Sequence, residues 1–371
     1  MPSGEEQRAL PVPTSRRVLF IDMLRLLASF QMIHGHTFDA LLAEELRSGP
    51  AFVGWTWVRG LTSVAFLFAA GLSFSLSTLD RFDKHRHDRG TQVRRLRRIG
   101  WLVLLGYLLH APLPVLFGAD PGAALREFAI VDVLQCIGVS ILLLQLLVWT
   151  LPSRRAVGLT AIGLGVVFIG AAPTLSTIDP SGVGRPSLNY LTASGGSIFP
   201  LFPWAGMVFL GAGLGELVLQ GRRVPWVLAA RLAGIGVAMA SIAFVPNLAP
   251  STHHLLLKLA AVTTVAAMFA LLSQLVRRLP RPLAVLSGES LMLYVFHLMV
   301  IYAGGIGLRF VIGPTLSVSA AALVSAILMA VTVAVALGWH RVKAWSKDRG
   351  QRPSRSYGRS SPATTYSAPP K

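Results

Sequence analysis

One apolar stretch, Arg17 to Leu42 (RVLFIDMLRLLASFQMIHGHTFDALL), carries Asp22, Arg25, His34, His36 and Asp39 inside it. Ionisable groups in so long an apolar run are costly, so each is a functional candidate. Spacing sorts them. At about 100° per residue, the steps from Arg25 to His36 return the chain to nearly the same angular position, about 16 Å further along a helix axis. Asp22 precedes Arg25 by one helical neighbour and Asp39 follows His36 in the same way, so one stripe reads Asp22, Arg25, Ser29, His36, Asp39. His34 sits about 200° away from His36. A neutral imidazole is the natural proton acceptor near neutral pH, and a carboxylate such as Asp39 offsets the effect of apolar surroundings on His36. A guanidinium keeps its charge and offers a fork of donors suited to phosphate or pyrophosphate. Arg25 therefore has two readings, an anion site deep in a bundle or an Asp22–Arg25 ion pair that pins the helix.

Further candidates lie downstream. His297 ends the segment Ser287-Gly-Glu-Ser-Leu-Met-Leu-Tyr-Val-Phe-His297, at a depth similar to that of His36. His110 occupies the matching half of its own apolar span. Asp132 and Gln135 share a face, and Trp204 follows Pro200 and Pro203, which should open the start of a helix where freed carbonyls must face protein or water. Arg94, Arg95, Arg97 and Arg98 form a basic cluster able to grip a nucleotide phosphate at a membrane surface.

The elements that position these groups are membrane helices. The chain has 371 residues, 53% hydrophobic and 13% charged, with a mean hydropathy of +0.61, the composition of a polytopic membrane protein. Apolar spans fall at about 17–42, 57–79, 99–117, 129–150, 156–173, 199–219, 225–245, 255–276, 283–305 and 315–339, which predicts an all-α bundle of about ten helices. The formal charge of +18 is a topology signal rather than a nucleic-acid groove, because Lys and Arg gather between spans at 80–98, 154–155, 222–223 and 277–281 and in the tail. With those loops cytoplasmic, both termini are cytoplasmic, and the opposite loops 41–56, 118–128, 174–198, 246–254 and 306–314 are poor in basic residues. The 174–198 loop, rich in Gly, Pro, Ser and Thr, is expected to be irregular. Residues 1–16 and 346–371 read as disordered flanks around a 17–345 membrane domain.

One cysteine, Cys136, excludes an internal disulfide and any Cys-based metal site; no metal is expected. There is no GxxxxGK loop, no HExxH and no GxSxG elbow, so ATP-driven transport has no support.

Asp22-Met-Leu-Arg25 followed by ten residues and His36 resembles the Arg-x10-His signature of transmembrane acyltransferases. Together with Phe66-Leu-Phe-Ala-Ala-Gly71, Val133-Leu-Gln-Cys-Ile-Gly138, Phe199-Pro-Leu-Phe-Pro-Trp204 with Gly211, and Ser290-Leu-Met-Leu-Tyr-Val-Phe-His297, it is similar to bacterial relatives of the heparan-alpha-glucosaminide N-acetyltransferase catalytic domain, with the acyltransferase-3 group as wider kin. The similarity runs over about 16–345. Leu26 stands where members read Gly after the Arg. The resemblance implies acyl transfer, often acetyl, from cytoplasmic acyl-CoA to an amine or hydroxyl of a glycan or amino-sugar acceptor at the outer face of a bacterial-type inner membrane. On that reading His36, Asp39 and His297 are catalytic. Arg25 and the Arg94, Arg95, Arg97 and Arg98 cluster hold the donor, and Asp132, Gln135 and Trp204 meet the acceptor. Direct transfer and an acyl-histidine intermediate are both open. So is the oligomeric state, a dimer being the simplest assembly to consider. The rival reading is a proton-coupled secondary transporter with Asp22, Arg25, His36 and Asp132 as its relay.

Overall fold

The computed structural model describes residues 18–111, 115, 118, 120–178, 185–219, 224–276, 278–303 and 306–350. Among them the fold is all-α, with no strand beyond one isolated bridge between Leu42 and Leu316. In chain order the helices are α1 (Leu19–Leu41), α2 (Gly49–Thr78), α3 (Phe82–His87), α4 (Arg89–Leu109), α5 (Pro121–Phe128), α6 (Val133–Thr150), α7 (Arg154–Leu175) and α8 (Arg185–Leu191). There follow α9 (Leu201–Leu219), α10 (Pro225–Ala243), α11 (Pro250–Leu275), α12 (Arg281–Gly288), α13 (Ser290–Tyr302), α14 (Leu308–Val311) and α15 (Val318–Gly350).

A helix falls on each of the ten apolar spans, and among the described residues six are long and apolar enough to cross a membrane: α2 with α3, α6, α7, α10, α11 and α15. The bent pair α12 and α13 makes a seventh if it is one span. The protein is thus a multi-pass membrane protein. α1 is less apolar than these six because its ionisable stripe interrupts the apolar run, and it is enclosed by neighbours instead, touching α2, α11, α12, α13, α14 and α15. Its C-terminal end is clamped by Leu316, whose N–H donates to the Leu41 carbonyl and whose carbonyl accepts from Ala43 N–H, both at 2.9 Å.

Three expectations need correction. The 283–305 span is broken by 72° at Glu289. The residue after Gly288 leaves the helical path, and its buried carboxylate is held by Lys343 and, at 3.1 Å, by His340 Nδ1. The opposite-face loops also carry helices of their own, α5 and α8, because Pro121 and Gly122 in the one and Pro186 in the other fall in the first turn, where a helix tolerates them. The predicted tail boundary gives way to α15, which continues to Gly350. Residues 1–16, 351–371, Gly182, Arg222, Arg223 and Arg277 lie outside the described residues.

The helices that back the site pack at backbone contact. A Cβ on Gly71 of α2 would run into the Val208 carbonyl of α9, and one on Gly211 of α9 into the Phe68 carbonyl of α2. Ser75 seals the seam by donating to the Ala212 carbonyl. Gly71→Ala is therefore expected to cost about 1–3 kcal/mol as an overpacking change. Thermal unfolding in detergent checks it, and an unshifted midpoint would contradict the close seam.

Candidate active site

The C-terminal end of α1 meets the C-terminal end of α13. The His36 and His297 rings stand 5.5 Å apart between centroids, the first partly accessible, the second 1% exposed. His297 Nδ1 lies 2.6 Å from the Leu293 carbonyl. A carbonyl only accepts, so Nδ1 carries the hydrogen and Nε2 carries the lone pair. That Nε2 is buried and has no hydrogen-bond partner among the described residues. Tyr302 closes the other side of His36: its hydroxyl is 3.3 Å from the His36 carbonyl and 3.5 Å from His36 Nδ1, with the rings edge to face at 5.7 Å.

The acid beside the histidines comes from α6. Asp132 is the N-cap of that helix, with the Val133 N–H donating to Oδ1 at 2.6 Å. Its Oδ2 accepts from the Tyr294 hydroxyl at 2.9 Å and faces His110 Nε2 at 3.4 Å. The Tyr294 ring stands edge-on to His297 at 5.8 Å, and Asp132 acts electrostatically on both His36 and His297. The cluster thus runs His110, Asp132, Tyr294, His297, His36, Tyr302, drawn from α1, α4, α6 and α13. Gln135 completes the capping box: its Oε1 accepts from the Asp132 N–H at 3.2 Å and its amide nitrogen faces the Ile130 carbonyl. It supports Asp132. Trp204 packs on Phe199 at 4.9 Å, and the Phe199 N–H donates to the Val131 carbonyl next to Asp132 at 3.0 Å.

Asp39 does not hold His36. Its carboxylate pairs with Arg59 of α2, and its backbone carbonyl takes Arg47 Nη2 at 2.9 Å. Helical phase brought Asp39 near the stripe, but α2 supplies a permanent cation there, and a charged partner is the stronger one. His34 faces away, accepting from Trp55 Nε1 at 3.3 Å and lying 3.4 Å from the Ser325 hydroxyl.

At the opposite end of α1 a second polar group forms around the α12–α13 break. Ser287 donates to Asp22 Oδ1 at 2.6 Å, and Arg25 Nη2 donates to Ser290 at 2.5 Å. Ser290 opens α13, so Arg25 stands beside the first turn of that helix, where backbone N–H groups lack intrahelical partners.

The basic cluster is split. Arg95 tucks between α2 and α4, donating to Thr78 and stacking over Phe74 at 5.4 Å. Burial, then the Arg98 charge, pushes its guanidinium down to about 10, still charged at neutral pH. Arg94 bonds Thr91 at 3.0 Å near Asp88, whose carboxyl is held below the usual range first by the Thr91 hydroxyl. Arg97 and Arg98 are exposed.

Reasoning from sequence missed Tyr294, Tyr302, Ser287 and Arg59. Tyr294 was within reach, one helical neighbour before His297; the others carry no local pattern.

At one end the bundle encloses imidazoles and a buried carboxylate, groups suited to general acid–base chemistry. The family model described as heparan-alpha-glucosaminide N-acetyltransferase, catalytic, matches residues 17–245, and the chain belongs to that family. The match takes in α1 to α10, including Arg25, His36, Asp132 and Trp204; α13, with Ser290, Tyr294, His297 and Tyr302, lies beyond it. A comparison with individually curated proteins returns no match. Membership carries a membrane N-acetyltransferase-type function, which favours transfer over the transporter reading.

Proposed function

We propose that this protein moves an acyl group, in the first instance acetyl, from acyl-CoA on the cytoplasmic side to an amine or hydroxyl of an amino-sugar or glycan acceptor on the outer side of a bacterial-type inner membrane. On this reading ten helices cross, with both termini inside. The observation that carries the proposal is the His36–His297 pair, with the lone pair of His297 Nε2 buried and unpartnered. Every helix reaches that pair with the end that the charge pattern puts outside. Arg25 and the α13 N-terminus lie about 16 Å lower on α1, a span suited to an extended pantetheine arm.

His36 takes the proton from the acceptor as its nitrogen or oxygen lone pair attacks the thioester carbonyl. The carbon–sulfur bond breaks, and the departing thiolate receives the proton to leave as free CoA. His297 Nε2 accepts a hydrogen bond from the incoming N–H or O–H and so orients it. Asp132, through Tyr294, holds the floor of the site. Arg25, Ser290 and the exposed Arg97 and Arg98 meet the donor's phosphates and arm.

Radiolabelled acetyl-CoA offered with a panel of amino-sugar and hydroxyl acceptors tests the proposal, and no labelled product from any acceptor would refute it. Arg25→Ala is expected to weaken acyl-CoA binding by about 1.5–3 kcal/mol, the scale of a charge-assisted hydrogen bond. Single changes at Arg97 or Arg98 should cost less, since exposed charges are solvated and screened. Equilibrium binding to monodisperse protein measures this; unchanged affinity for Arg25→Ala would leave Arg25 a structural residue of the α1–α13 contact.

A further inference from the structure

The end of the bundle that holds His36 is the one the charge pattern leaves poor in basic residues, yet cations gather there. Arg59 lies against α1 immediately before His36: a Cβ on Gly35 would stand 3.0 Å from Arg59 Cγ and 3.2 Å from Cδ. One nitrogen of its guanidinium pairs with Asp39, and the group lies over the Trp55 ring at 5.5 Å. Its Nε is buried with no hydrogen-bond partner among the described residues. Lys258 comes from α11, two turns inside a membrane-length helix. Half-buried, it lays its ammonium on α2 next to Arg59, where a Cβ on Gly60 would stand 2.5 Å from Nζ. Lys258 makes no hydrogen bond or ion pair among the described residues, and it is close enough to Arg59 for the two charges to repel. Arg309 stacks over Tyr302 at 5.8 Å, and Arg47 and Arg59 both act electrostatically on that tyrosine. The acids beside these cations among the described residues are Asp39 on Arg59 and Glu44 at 3.7 Å from Arg47, with Asp132 buried behind Tyr294; Glu45, Asp120 and Glu127 lie in the loops on the same side.

Two like charges side by side, both half-buried and one with no ion-pair partner among the described residues, repel each other unless an anion joins them. A lysine with a snorkelling role would extend its head along the helix toward the interface; this one is directed across to α2, where glycine leaves it room. We infer that Arg59 and Lys258 form an oxyanion-binding site beside His36 that seats a phosphate, sulfate or carboxylate carried by the acceptor, so that the acceptor is an anionic amine or alcohol. That the anion's carrier is the acceptor rests on the acyl-transfer reading. The anion site does not. A guanidinium and an ammonium from facing helices supply the charged donors such a group needs, and they would hold its neighbouring amine or hydroxyl at His36.

The test reads Lys258 directly. Purified protein is labelled with an uncharged amine-reactive ester and each lysine followed by mass spectrometry, with Lys84 and Lys343 as internal references. Glucosamine 6-phosphate is expected to slow labelling of Lys258 severalfold and glucosamine to leave it unchanged. In lipid nanodiscs without sugar, protection by phosphatidylglycerol but not by phosphatidylcholine would identify a lipid headgroup as the source of the same anion chemistry. Equal labelling of Lys258 in every arm overturns the site. In the transfer assay, wild type is expected to favour the phosphorylated sugar in kcat/KM and Lys258→Gln to bring the two acceptors together. Protection of Lys258 in a protein that transfers no acyl group would keep the anion site and remove only the acyl-transfer reading.

Discussion

Replacing His36 with alanine is expected to abolish acyl transfer, while His34→Ala leaves most of it. The two residues are neighbours in depth and hydrophobicity, and only helical phase parts them, by about 200°. Phase sends His36 to His297 and Tyr302, and His34 to Trp55 of α2 and Ser325 of α15. Loss of a positioned general base costs on the order of a hundredfold to ten-thousandfold in rate. His34→Ala removes a packing and hydrogen-bonding partner, so it acts on stability by about 1 kcal/mol. Asp39→Asn, which loosens Arg59 rather than His36, should lower rate less than His36→Ala. Initial rates on the three variants, with gel filtration in detergent as the folding control, decide this; an active His36→Ala enzyme would overturn the site and the mechanism built on it.

Removing the Asp132 carboxylate is expected to give the largest loss of stability among the site residues. The group is 8% exposed and serves the Val133 N–H, the Tyr294 hydroxyl and His110 together. Asp132→Ala strips the α6 cap and strands the buried Tyr294 hydroxyl and the half-buried His110, and deleting one member of a buried charged network costs about 3–5 kcal/mol. Asp132→Asn keeps a capping oxygen and an acceptor for Tyr294, so it should retain most of the cap contribution of about 1 kcal/mol and lose mainly the charge. Thermal unfolding of both variants in the same detergent tests the ordering. Equal midpoints for Asp132→Ala and wild type would show that Asp132 is not the hub that joins α4, α6 and α13.

Much of the candidate site was legible because a helix imposes its own geometry. Arg25 and His36 share a face in any α-helix, and the ten apolar spans locate helices whatever their packing. The Asp-x-x-Gln spacing that sets Asp132 and Gln135 on one face is also that of a capping box, and the end of α6 at Asp132 makes it one. The 283–305 run looked continuous because hydropathy is blind to a bend; Gly288 was the one available sign of the break that lets Ser287 and Ser290 face Asp22 and Arg25.

By itself the sequence determined the class of molecule, the helices and the phase of α1, since apolar length, helical periodicity and the distribution of Lys and Arg are local properties. Partner choice was decided only in the tertiary structure. Arg59 rather than His36 meets Asp39, Tyr302 rather than a carboxylate flanks His36, and Lys258 reaches Gly60, because each contact joins helices whose crossing no single segment encodes. A buried polar group takes the best counter-group that packing brings within reach, and which group that is depends on the seating of α2, α11 and α13 around α1.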